Sequence, residues 1–294
     1  MRSFLFVPAD SPKKLEKAMT CGADALIVDI EDSIALDQKA QARHSAAAFL
    51  KGTVPAAARP YLIVRINGLE TGLIDADLDV IAAAQPDAVM LPKAEGGASI
   101  AHLDAKLAVK EATNGIADGH IKIIAIATET AAALFLAGTF AGASKRLSAL
   151  TWGAEDLSAD LGAETNRDSQ GMLLDPYRLA RVLCLAAAAS AGVPAIDTVF
   201  TDFRDSDREA FRRECSAARR DGFSGKMAIH PTQIPIINQA FTPTQEAIAQ
   251  AQAIVDAFAA NPDAGVAALG GIMVDRPHLT RAKRVLARAA MRKN

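Results

Sequence analysis

The sequence predicts an α/β protein built on a (β/α)8 TIM barrel, followed by a C-terminal helical and extended arm. Eight short aliphatic runs alternate with longer, Ala-rich segments of helical character. The runs are apolar at almost every position, as in parallel strands that are buried on both faces. A length of 294 residues suits one such barrel with an extension. The segment after the first run lacks the GxGxxG pattern of a dinucleotide-binding fold, which disfavours a doubly wound sheet.

The predicted strands are rich in aliphatic residues, and most of them are followed by charged residues. They span residues 4–8, 25–29, 61–66, 88–91, 121–127, 147–151, 195–199 and 226–229. The helices predicted between them span residues 12–20, 37–50, 73–84, 98–113, 176–191 and 208–221. This alternation of strand and helix is the repeating unit of a parallel barrel.

The pattern changes after the eighth predicted strand. It predicts a helix, a break, an extended or hairpin segment and a basic helix, over residues 243–260, 261–263, 265–275 and 277–291. We therefore predict a catalytic barrel domain over 1–241 and a C-terminal extension over 242–294. The extension either packs on its own barrel or contacts a neighbouring subunit.

Composition and charge exclude several functional classes. The formal net charge of −2 gives no electrostatic reason to bind nucleic acid or an anionic membrane. Cys21, Cys184 and Cys215 are odd in number and widely spaced, which indicates reduced thiols. The first apolar run is too short for a secretory signal and soon meets Asp10. We expect a cytoplasmic protein without nucleic-acid or membrane partners.

Two carboxylates at strand ends predict a metal site. In a parallel barrel, the carboxyl ends of the strands form the face that carries the active site. Glu129 follows the fifth strand and Asp156 follows the sixth. Two carboxylates together with waters suit Mg²⁺, whereas zinc would require a Cys or His cluster. The alternative is that each carboxylate only stabilises the N-terminus of a helix.

Arg65 ends the third strand, beside an Asn-Gly turn. Its planar guanidinium fits a substrate carboxylate or a developing oxyanion. The alternative is an ion pair with Asp29, Glu31 or Asp32, and the two roles are compatible. We interpret these three acids mainly as groups that orient Arg65 and the waters around a metal.

Two other sets of residues each have a functional and a structural interpretation. Lys13 and Lys17 lie one helical turn apart, so they would either bind a phosphate-bearing ligand or form a solvated helix face. His230, which precedes a proline, would be a general base or an ordinary histidine at the barrel rim. The rim interpretation is favoured for His230, and the lysine alternatives stay open.

Several short motifs extend from Arg2 to about Ala287. In chain order they are RSFLFVP, GADALIVDIEDS, KAQAR, VRING, LPK, ETA, GAEDL, DFRD, GKMAIHP and GIMVD. Together they resemble the motifs of the citrate lyase β-subunit family, within the HpcH/HpaI aldolase group. That family includes malyl-CoA, citramalyl-CoA and citryl-CoA lyases.

The resemblance implies a lyase that depends on Mg²⁺, with Mn²⁺ as an alternative metal. Such an enzyme cleaves a β-hydroxyacyl-CoA into an acyl-CoA and a 2-oxo acid. The resemblance implies that Glu129 and Asp156 hold the metal, with Glu129 also near the substrate, and that Arg65 binds the oxo-acid oxygens during catalysis. Asp275 matches a catalytic acid or base that the family delivers from an adjacent subunit, so we expect a homotrimer or a dimer of trimers.

The remaining substrate-binding candidates include three residues on the CoA side and two near the eighth strand. They are Phe6, Lys13, Lys17, Ile229 and His230. Lys13 resembles the citramalyl-CoA lyase-like members and favours a citramalyl-CoA or malyl-CoA substrate. One alternative is a citrate lyase β subunit that acts on a thioester held by an acyl-carrier protein. Another is a non-catalytic barrel that binds CoA or an oxo acid, which the retention of Arg65, Glu129, Asp156 and Asp275 disfavours.

Overall fold

The predicted strands form one parallel sheet. The computed structural model describes residues 1–53, 59–202, 208–260 and 264–290, and within these ranges the sheet has eight strands. They are β1 Ser3–Pro8, β2 Ala25–Asp29, β3 Tyr61–Arg65, β4 Ala88–Leu91, β5 Lys122–Ile126, β6 Leu147–Thr151, β7 Ile196–Asp197 and β8 Gly225–Ala228. Each predicted strand is confirmed, with ends that differ by one or two residues at most.

The strand order closes this sheet into a barrel. Neighbouring strands follow the order β6-β5-β4-β3-β2-β1-β8-β7, which leaves β6 and β7 at the two ends. A parallel bridge between Leu150 and Ala195 joins these ends. The peptide N–H of Leu150 also donates to the carbonyl of Pro194 over 3.1 Å. The predicted (β/α)8 barrel is therefore confirmed, and we call the β6–β7 junction its seam.

Side chains from alternate strand positions fill the barrel interior. The buried interior cluster is Phe4, Ala25, Ile27, Ile63, Ala88, Met90, Ile124, Ile126, Ala149, Ile196 and Met227. Intervening residues such as Leu26 and Val64 are also fully buried, and the two-residue period of a strand turns them toward the helices. Burial on both faces explains why the strands are continuous apolar runs. The same alternation gives Phe6, Asp29 and Arg65 the inward-facing parity at the carboxyl ends.

Helices follow the strands along the chain. Up to residue 241 they are α1 Pro12–Ala18, α2 Lys39–Gly52, α3 Ile74–Ile81, α4 Gly96–Thr113, α5 Ala131–Leu136, α6 Ala154–Asp160, α7 Asp175–Ala191, α8 Glu209–Asp221 and α9 Ile234–Phe241. The sequence pattern does not predict α5, α6 or α9. These have six, seven and eight residues, too few turns for a helical period to stand out. In the described ranges, no helix is both long and apolar enough to cross a bilayer.

A network of buried charges lies beside the seam. Lys226 of β8 is fully buried, and its Nζ donates to Asp197 of β7 over 2.7 Å and to Glu214 of α8 over 2.8 Å. Asp197 also accepts hydrogen bonds from Trp152 Nε1 at 2.9 Å and from Arg181 Nε at 3.3 Å. A buried charge is tolerated when it is paired in this way. The network joins β7 and β8 to the helices α7 and α8.

The chain divides into two compact units, Met1–Asn238 and Gln239–Asn294. Beyond α9, the second contains α10 Gln245–Ala260, β9 Val266–Leu269, β10 Ile272–Asp275 and α11 Arg276–Ala290. Strands β9 and β10 form an antiparallel hairpin, whose turn residues Gly270 and Gly271 both have positive φ, as a tight hairpin turn requires. The hairpin and both helices occur where the sequence pattern places them. The predicted domain boundary after residue 241, and the contact of this extension with another subunit, stay predictions.

Candidate active site

The first three strands bring an aromatic ring, a carboxylate and a guanidinium together at the barrel mouth. In the parallel register, Pro8 is opposite Asp29 and Asp29 is opposite Arg65. Arg65 Nε donates to Asp29 Oδ1 over 2.8 Å, and its Nη2 donates to Oδ2 over 2.7 Å. The guanidinium carbon lies 4.9 Å from the centre of the Phe6 ring, which is a cation–π distance. The guanidinium of Arg65 is thus held in its plane by hydrogen bonds to Asp29 and covered on one face by the Phe6 ring.

The acids after β2 complete this arrangement. Arg65 Nη1 lies 2.9 Å from Oε2 of Glu31 and 4.0 Å from the more exposed Asp32. Burial alone would raise the pKa of Asp29, but the hydrogen bonds and charge of Arg65 hold that pKa below its ordinary value. Asp29 is therefore a carboxylate that orients Arg65. The predicted ion pairs of Arg65 with Asp29, Glu31 and Asp32 are present.

Lys93 extends the charged layer from β4 toward β6. It follows β4 after one proline, and its Nζ donates to Glu31 Oε1 over 2.8 Å. The same Nζ lies 3.2 Å from Asp156 Oδ1 and 3.5 Å from Asp32 Oδ2. Its backbone has a φ of 50°, a left-handed conformation that is uncommon for a residue other than glycine. Lys93 therefore links the acids after β2 to the carboxylate on α6.

Glu129 is buried just beyond β5, with only 3% of its surface exposed. The peptide N–H of Lys93 donates to its Oε2 over 2.8 Å, and Gly153 lies directly against its side chain. Burial, together with the negative charge of Asp156, raises the pKa of Glu129 to about 8. Asp156 itself lies in the first turn of α6 and is partly exposed. A buried acid with a second carboxylate nearby is stabilised in its charged form by a cation.

This pair of carboxylates fits a hard divalent cation. Both groups offer oxygen donors, which Mg²⁺ and Mn²⁺ prefer. Within the described ranges, no group of three or more His, Cys, Asp or Glu side chains is arranged to hold a metal. Two protein ligands suffice for Mg²⁺, which commonly keeps several waters and takes further oxygens from its substrate. The donor set and the raised pKa of Glu129 thus agree with the ion that the sequence predicts.

The candidate CoA-side lysines lie on α1. Lys13 and Lys17 are exposed, whereas Leu15 and Ala18 on the other side of the helix are buried. Their side chains are therefore presented on one accessible face, as their spacing predicts. Their contact with a phosphate stays a prediction.

His230 caps the short 3₁₀ turn that follows β8. The peptide N–H of Thr232 donates to its Nδ1 over 3.3 Å, and the Thr232 hydroxyl lies 2.7 Å from the same atom. Gln233 Oε1 accepts from the peptide N–H groups of Ile229 and His230 at 2.9 and 3.2 Å. His230 thus has a local structural task, in keeping with the rim interpretation. Ile229 is partly exposed beside it, and a contact of either residue with substrate stays a prediction.

Asp275 ends β10 in the second unit, directly before α11. Its Oδ1 accepts from the peptide N–H of His278 at 3.3 Å, its own peptide N–H donates to His278 Nδ1 at 3.3 Å, and the two side chains are in contact. This reciprocal pattern is a capping arrangement at the start of a helix. The hydrogen bond from His278 lowers the pKa of Asp275. Its catalytic role stays a prediction.

The largest difference from a predicted strand end is in β7. This strand ends at Asp197, two residues before the predicted end at Val199. Asp197 belongs to the charge network beside the seam, where Lys226 neutralises it. Most of the DFRD motif, at 203–205, lies outside the described residues.

Two residues of this site, Lys93 and Gly153, are not among the candidates predicted from the sequence. The sequence contains a signal for Lys93, because this residue follows the fourth strand almost directly, as Arg65 ends the third. It contains no signal for Gly153, since no sequence pattern shows which side chain lies against a glycine. The structure brings Arg65, Lys93 and Glu129 into one layer with the acids Asp29, Glu31, Asp32 and Asp156.

An eight-stranded parallel barrel with paired charges concentrated at the carboxyl ends of its strands is the arrangement of a barrel enzyme. The sequence model of the HpcH/HpaI aldolase/citrate lyase family matches residues 2–231. The chain belongs to this family, whose members include CoA-ester lyases. The resemblance seen in the motifs is thereby confirmed, and so is the prediction that the chain is an enzyme of this type.

Similar proteins include three with different described activities. Citrate lyase subunit beta of Leuconostoc mesenteroides is 35% identical over 97% of this chain and 92% of its own length. The (3S)-malyl-CoA thioesterase of Cereibacter sphaeroides is 35% identical over 98% of this chain and 94% of its own. The mitochondrial citramalyl-CoA lyase of Rattus norvegicus is 33% identical over 97% of this chain and 85% of its own.

A solved structure supports the same fold. The protein CitE of Mycobacterium tuberculosis, in complex with magnesium, acetoacetate and coenzyme A, matches with a TM-score of 0.78. It is 34% identical to this chain, and the match covers 98% of both chains.

Proposed function

We propose that this protein is a Mg²⁺-dependent carbon–carbon lyase acting on a β-hydroxyacyl-CoA of the citramalyl-CoA or malyl-CoA type. The products are an acyl-CoA and a 2-oxo acid. The observation that carries the proposal is the position of Arg65 in one charged layer with Glu129 and Asp156, linked through Glu31 and Lys93. A cation on the two carboxylates and the guanidinium would together bind a small oxygen-rich acid. The CitE complex with magnesium, acetoacetate and coenzyme A supports this ligand chemistry.

Glu129 and Asp156 would hold Mg²⁺, with Mn²⁺ as the alternative ion. When bound, the ion would supply a Lewis acid that polarises the substrate oxygens. Glu129 is suited to this task because the peptide N–H of Lys93 fixes one of its oxygens, and because its side chain is buried at the strand end.

Arg65 would bind the carboxylate or the keto oxygen of the 2-oxo acid and offset negative charge there during bond cleavage. Asp29 orients the guanidinium through two hydrogen bonds, so Arg65 needs no rearrangement before it binds. The hydroxyl proton would leave to a base at the same mouth. Glu31 is a candidate, because burial raises its pKa despite the opposing charge of Arg65.

The acyl-CoA enolate that remains after cleavage needs a proton. We assign this role to Asp275, which in the condensation direction would remove the same proton. In the proposed assembly, a homotrimer or a dimer of trimers, an adjacent subunit supplies Asp275. Phe6, Lys13, Lys17, Ile229 and His230 would contact the substrate, with the lysines toward the phosphates of CoA. The cytoplasm is the proposed location.

A second candidate is the β subunit of a citrate lyase, which would act on a thioester held by a carrier protein. The similarity to citrate lyase subunits beta at 35% identity favours it as much as the similarity to proteins acting on malyl-CoA. The two differ in what carries the acyl group. Efficient turnover of free CoA esters would support the lyase that acts alone, and turnover of only the carrier-bound thioester would support the subunit.

The direct test is a panel of citramalyl-, malyl-, methylmalyl- and citryl-CoA, assayed with Mg²⁺ and with a reagent that traps 2-oxo acids. We expect one 2-oxo acid to be released, and release to stop with a chelator. Glu129→Ala should abolish it. Glu95→Ala is a matched control, because Glu95 is an exposed acid. It accepts a hydrogen bond from Thr130, the residue that follows Glu129 in the chain. Free CoA without any oxo acid would instead indicate thioesterase activity, and turnover without metal would contradict the proposal.

A further inference from the structure

We infer that Lys93 is a counter-cation built into the metal site: its ammonium group neutralises Asp156 in the metal-free protein and lowers the affinity of the site for Mg²⁺. This inference rests on the proposed function, since it takes Glu129 and Asp156 as the metal ligands. It adds a role for a residue that the proposed reaction does not otherwise use.

The contacts of Lys93 reach both proposed metal ligands. Its peptide N–H donates to Glu129 Oε2 over 2.8 Å, and its Nζ lies 3.2 Å from Asp156 Oδ1. The same Nζ is 2.8 Å from Glu31. A cation that binds Asp156 must therefore approach an oxygen that already has a positive charge beside it.

The charges at the barrel mouth explain why a cation beside Asp156 stabilises the metal-free protein. Five carboxylates and two cations meet there among the described residues: Asp29, Glu31, Asp32, Glu129, Asp156, Arg65 and Lys93. Arg65 makes its ion pairs with Asp29 and Glu31. Among the described residues, Lys93 is the cation paired with Asp156, and without it the acids near β5 and β6 would repel one another more strongly before a metal binds.

The backbone conformation of Lys93 shows which of its contacts requires a lysine. Its φ of 50° is a conformation that glycine adopts at lower free-energy cost than lysine. A glycine at this position would supply the same peptide N–H to Glu129. The benefit of a lysine here therefore lies in its side chain, which makes the ion pairs. Backbone outliers of this kind are concentrated at functional sites.

The alternative is that Lys93 is only a structural tether that holds Asp156 in place. The two roles predict opposite effects of Lys93→Met, which keeps the backbone donor and most of the side-chain length. Loss of a tether would weaken Mg²⁺ binding. Loss of a competing charge should strengthen it, since Asp156 is still held by its place in the first turn of α6. Removing one positive charge at this range should raise the affinity about tenfold.

The experiment measures Mg²⁺ binding to the full chain by isothermal titration calorimetry, with Mn²⁺ and electron paramagnetic resonance as a second readout. Lys93→Met should bind the ion more tightly than the wild type. Its metal-free form should unfold at a lower temperature, and saturating Mg²⁺ should reduce that difference. Equal or weaker binding by folded Lys93→Met would overturn the inference.

Two further variants keep the test decisive. Lys39→Met is the matched control. Lys39 Nζ donates to the backbone carbonyls of Ile30 and Glu31 at 3.1 and 2.7 Å, and it forms no ion pair with a carboxylate in the part of the chain that the structure describes. This variant should bind Mg²⁺ as the wild type does. If Lys93→Met does not fold, Lys93→Gln decides, because it also removes the charge but keeps a polar side chain: tighter binding than wild type supports the inference, and equal or weaker binding overturns it.

The proposed function can fail separately. Unchanged Mg²⁺ binding by Glu129→Ala would refute the metal assignment itself. Loss of binding in Glu129→Ala, combined with unchanged or weaker binding in Lys93→Met, would refute only the counter-cation.

Discussion

Gly153 lies so close to Glu129 that a Cβ atom on residue 153 would be 2.6 Å from both Cγ and Oε1 of the glutamate. The φ of Gly153 is −129°, which any residue can adopt. The glycine is therefore required for space and not for its backbone conformation. Because Glu129 is buried and hydrogen-bonded to the peptide of Lys93, it can yield to a new methyl group only by leaving its position.

Gly153→Ala should consequently weaken Mg²⁺ binding, by about tenfold or more if displacement costs at least 1.4 kcal/mol. Calorimetric titration of the metal would measure the effect. Gly138→Ala is the matched control, since a Cβ atom there would meet no atom within 4 Å and its φ is not positive. Wild-type affinity in Gly153→Ala would show that Glu129 does not bind the metal from the position seen here.

The raised pKa of Glu129 makes the stability of the metal-free protein depend on pH. The folded protein holds this proton up to about pH 8, whereas the unfolded chain releases it near the ordinary value of 4.5. The free energy of unfolding should therefore fall as the pH rises between these values, by an amount on the order of a few kcal/mol.

Glu129→Gln should remove this part of the pH dependence. Urea unfolding with a chelator present, across the same pH range, would measure both proteins. Saturating Mg²⁺ should reverse the trend in the wild type, because the ion binds the deprotonated carboxylate. Parallel pH profiles of wild type and Glu129→Gln would contradict the assignment.

Arg65→Lys should lower kcat/KM by about 10²–10³-fold, because lysine cannot reproduce the planar donor pair that offsets charge on the oxo acid. Steady-state kinetics with the preferred CoA ester would measure the decrease. Arg59→Lys is the matched control: Arg59, just before β3, donates to both oxygens of Asp87 at 2.5 and 2.8 Å but lies at the opposite end of that strand. A similar loss in both variants would show that only the fold had been perturbed.

Lys226→Met should destabilise the barrel by about 3–5 kcal/mol, since it leaves Asp197 buried without its closest cation. Urea denaturation would measure the change. Lys226→Met combined with Asp197→Asn should lose less stability than Lys226→Met alone, because the uncompensated charge is gone. Additive losses would mean that the two residues do not stabilise each other. Neither protein should change its affinity for Mg²⁺ while it is folded.

Asp275→Asn should lower turnover without changing Mg²⁺ affinity, because Asp275 is proposed to exchange a proton and not to hold the metal. The proposed sharing of the site between subunits gives a sharper measurement. Asp275→Asn and Glu129→Ala subunits, each with little or no activity alone, should regain part of the activity when they are co-expressed as mixed oligomers, since one site then receives both intact residues. Mixed oligomers that stay inactive would contradict delivery of Asp275 from another subunit.

The parts of this protein that the sequence predicts best are those governed by continuous burial. Strands such as 25–29 and 88–91 are apolar at nearly every position, and the structure has them with the same bounds. Strand β7 is less well predicted: the sequence pattern predicts residues 195–199, but the strand ends at Asp197, and the buried ion pair of Asp197 with Lys226 does not follow from its neighbours in the sequence.

The residues of the candidate site likewise divide into those that the sequence predicts and those that require the folded structure. Glu129, Asp156 and Arg65 are recognisable because they stand at, or a few residues beyond, the ends of apolar runs. The role of Lys93 depends on the direction of its side chain and on a backbone angle, and neither follows from its neighbours in the sequence. Contacts between residues far apart in the chain, such as Gly153 with Glu129, require the folded structure.

The seam of the barrel has an evolutionary consequence. The charges beside it, centred on Asp197 and Lys226, share no residue with the charged layer at the mouth among the residues that the structure describes. Substitutions that adapt the mouth to a different acyl group or oxo acid can therefore leave the charge network of the seam intact. Substrate preference and barrel closure are thus free to evolve at separate sets of positions.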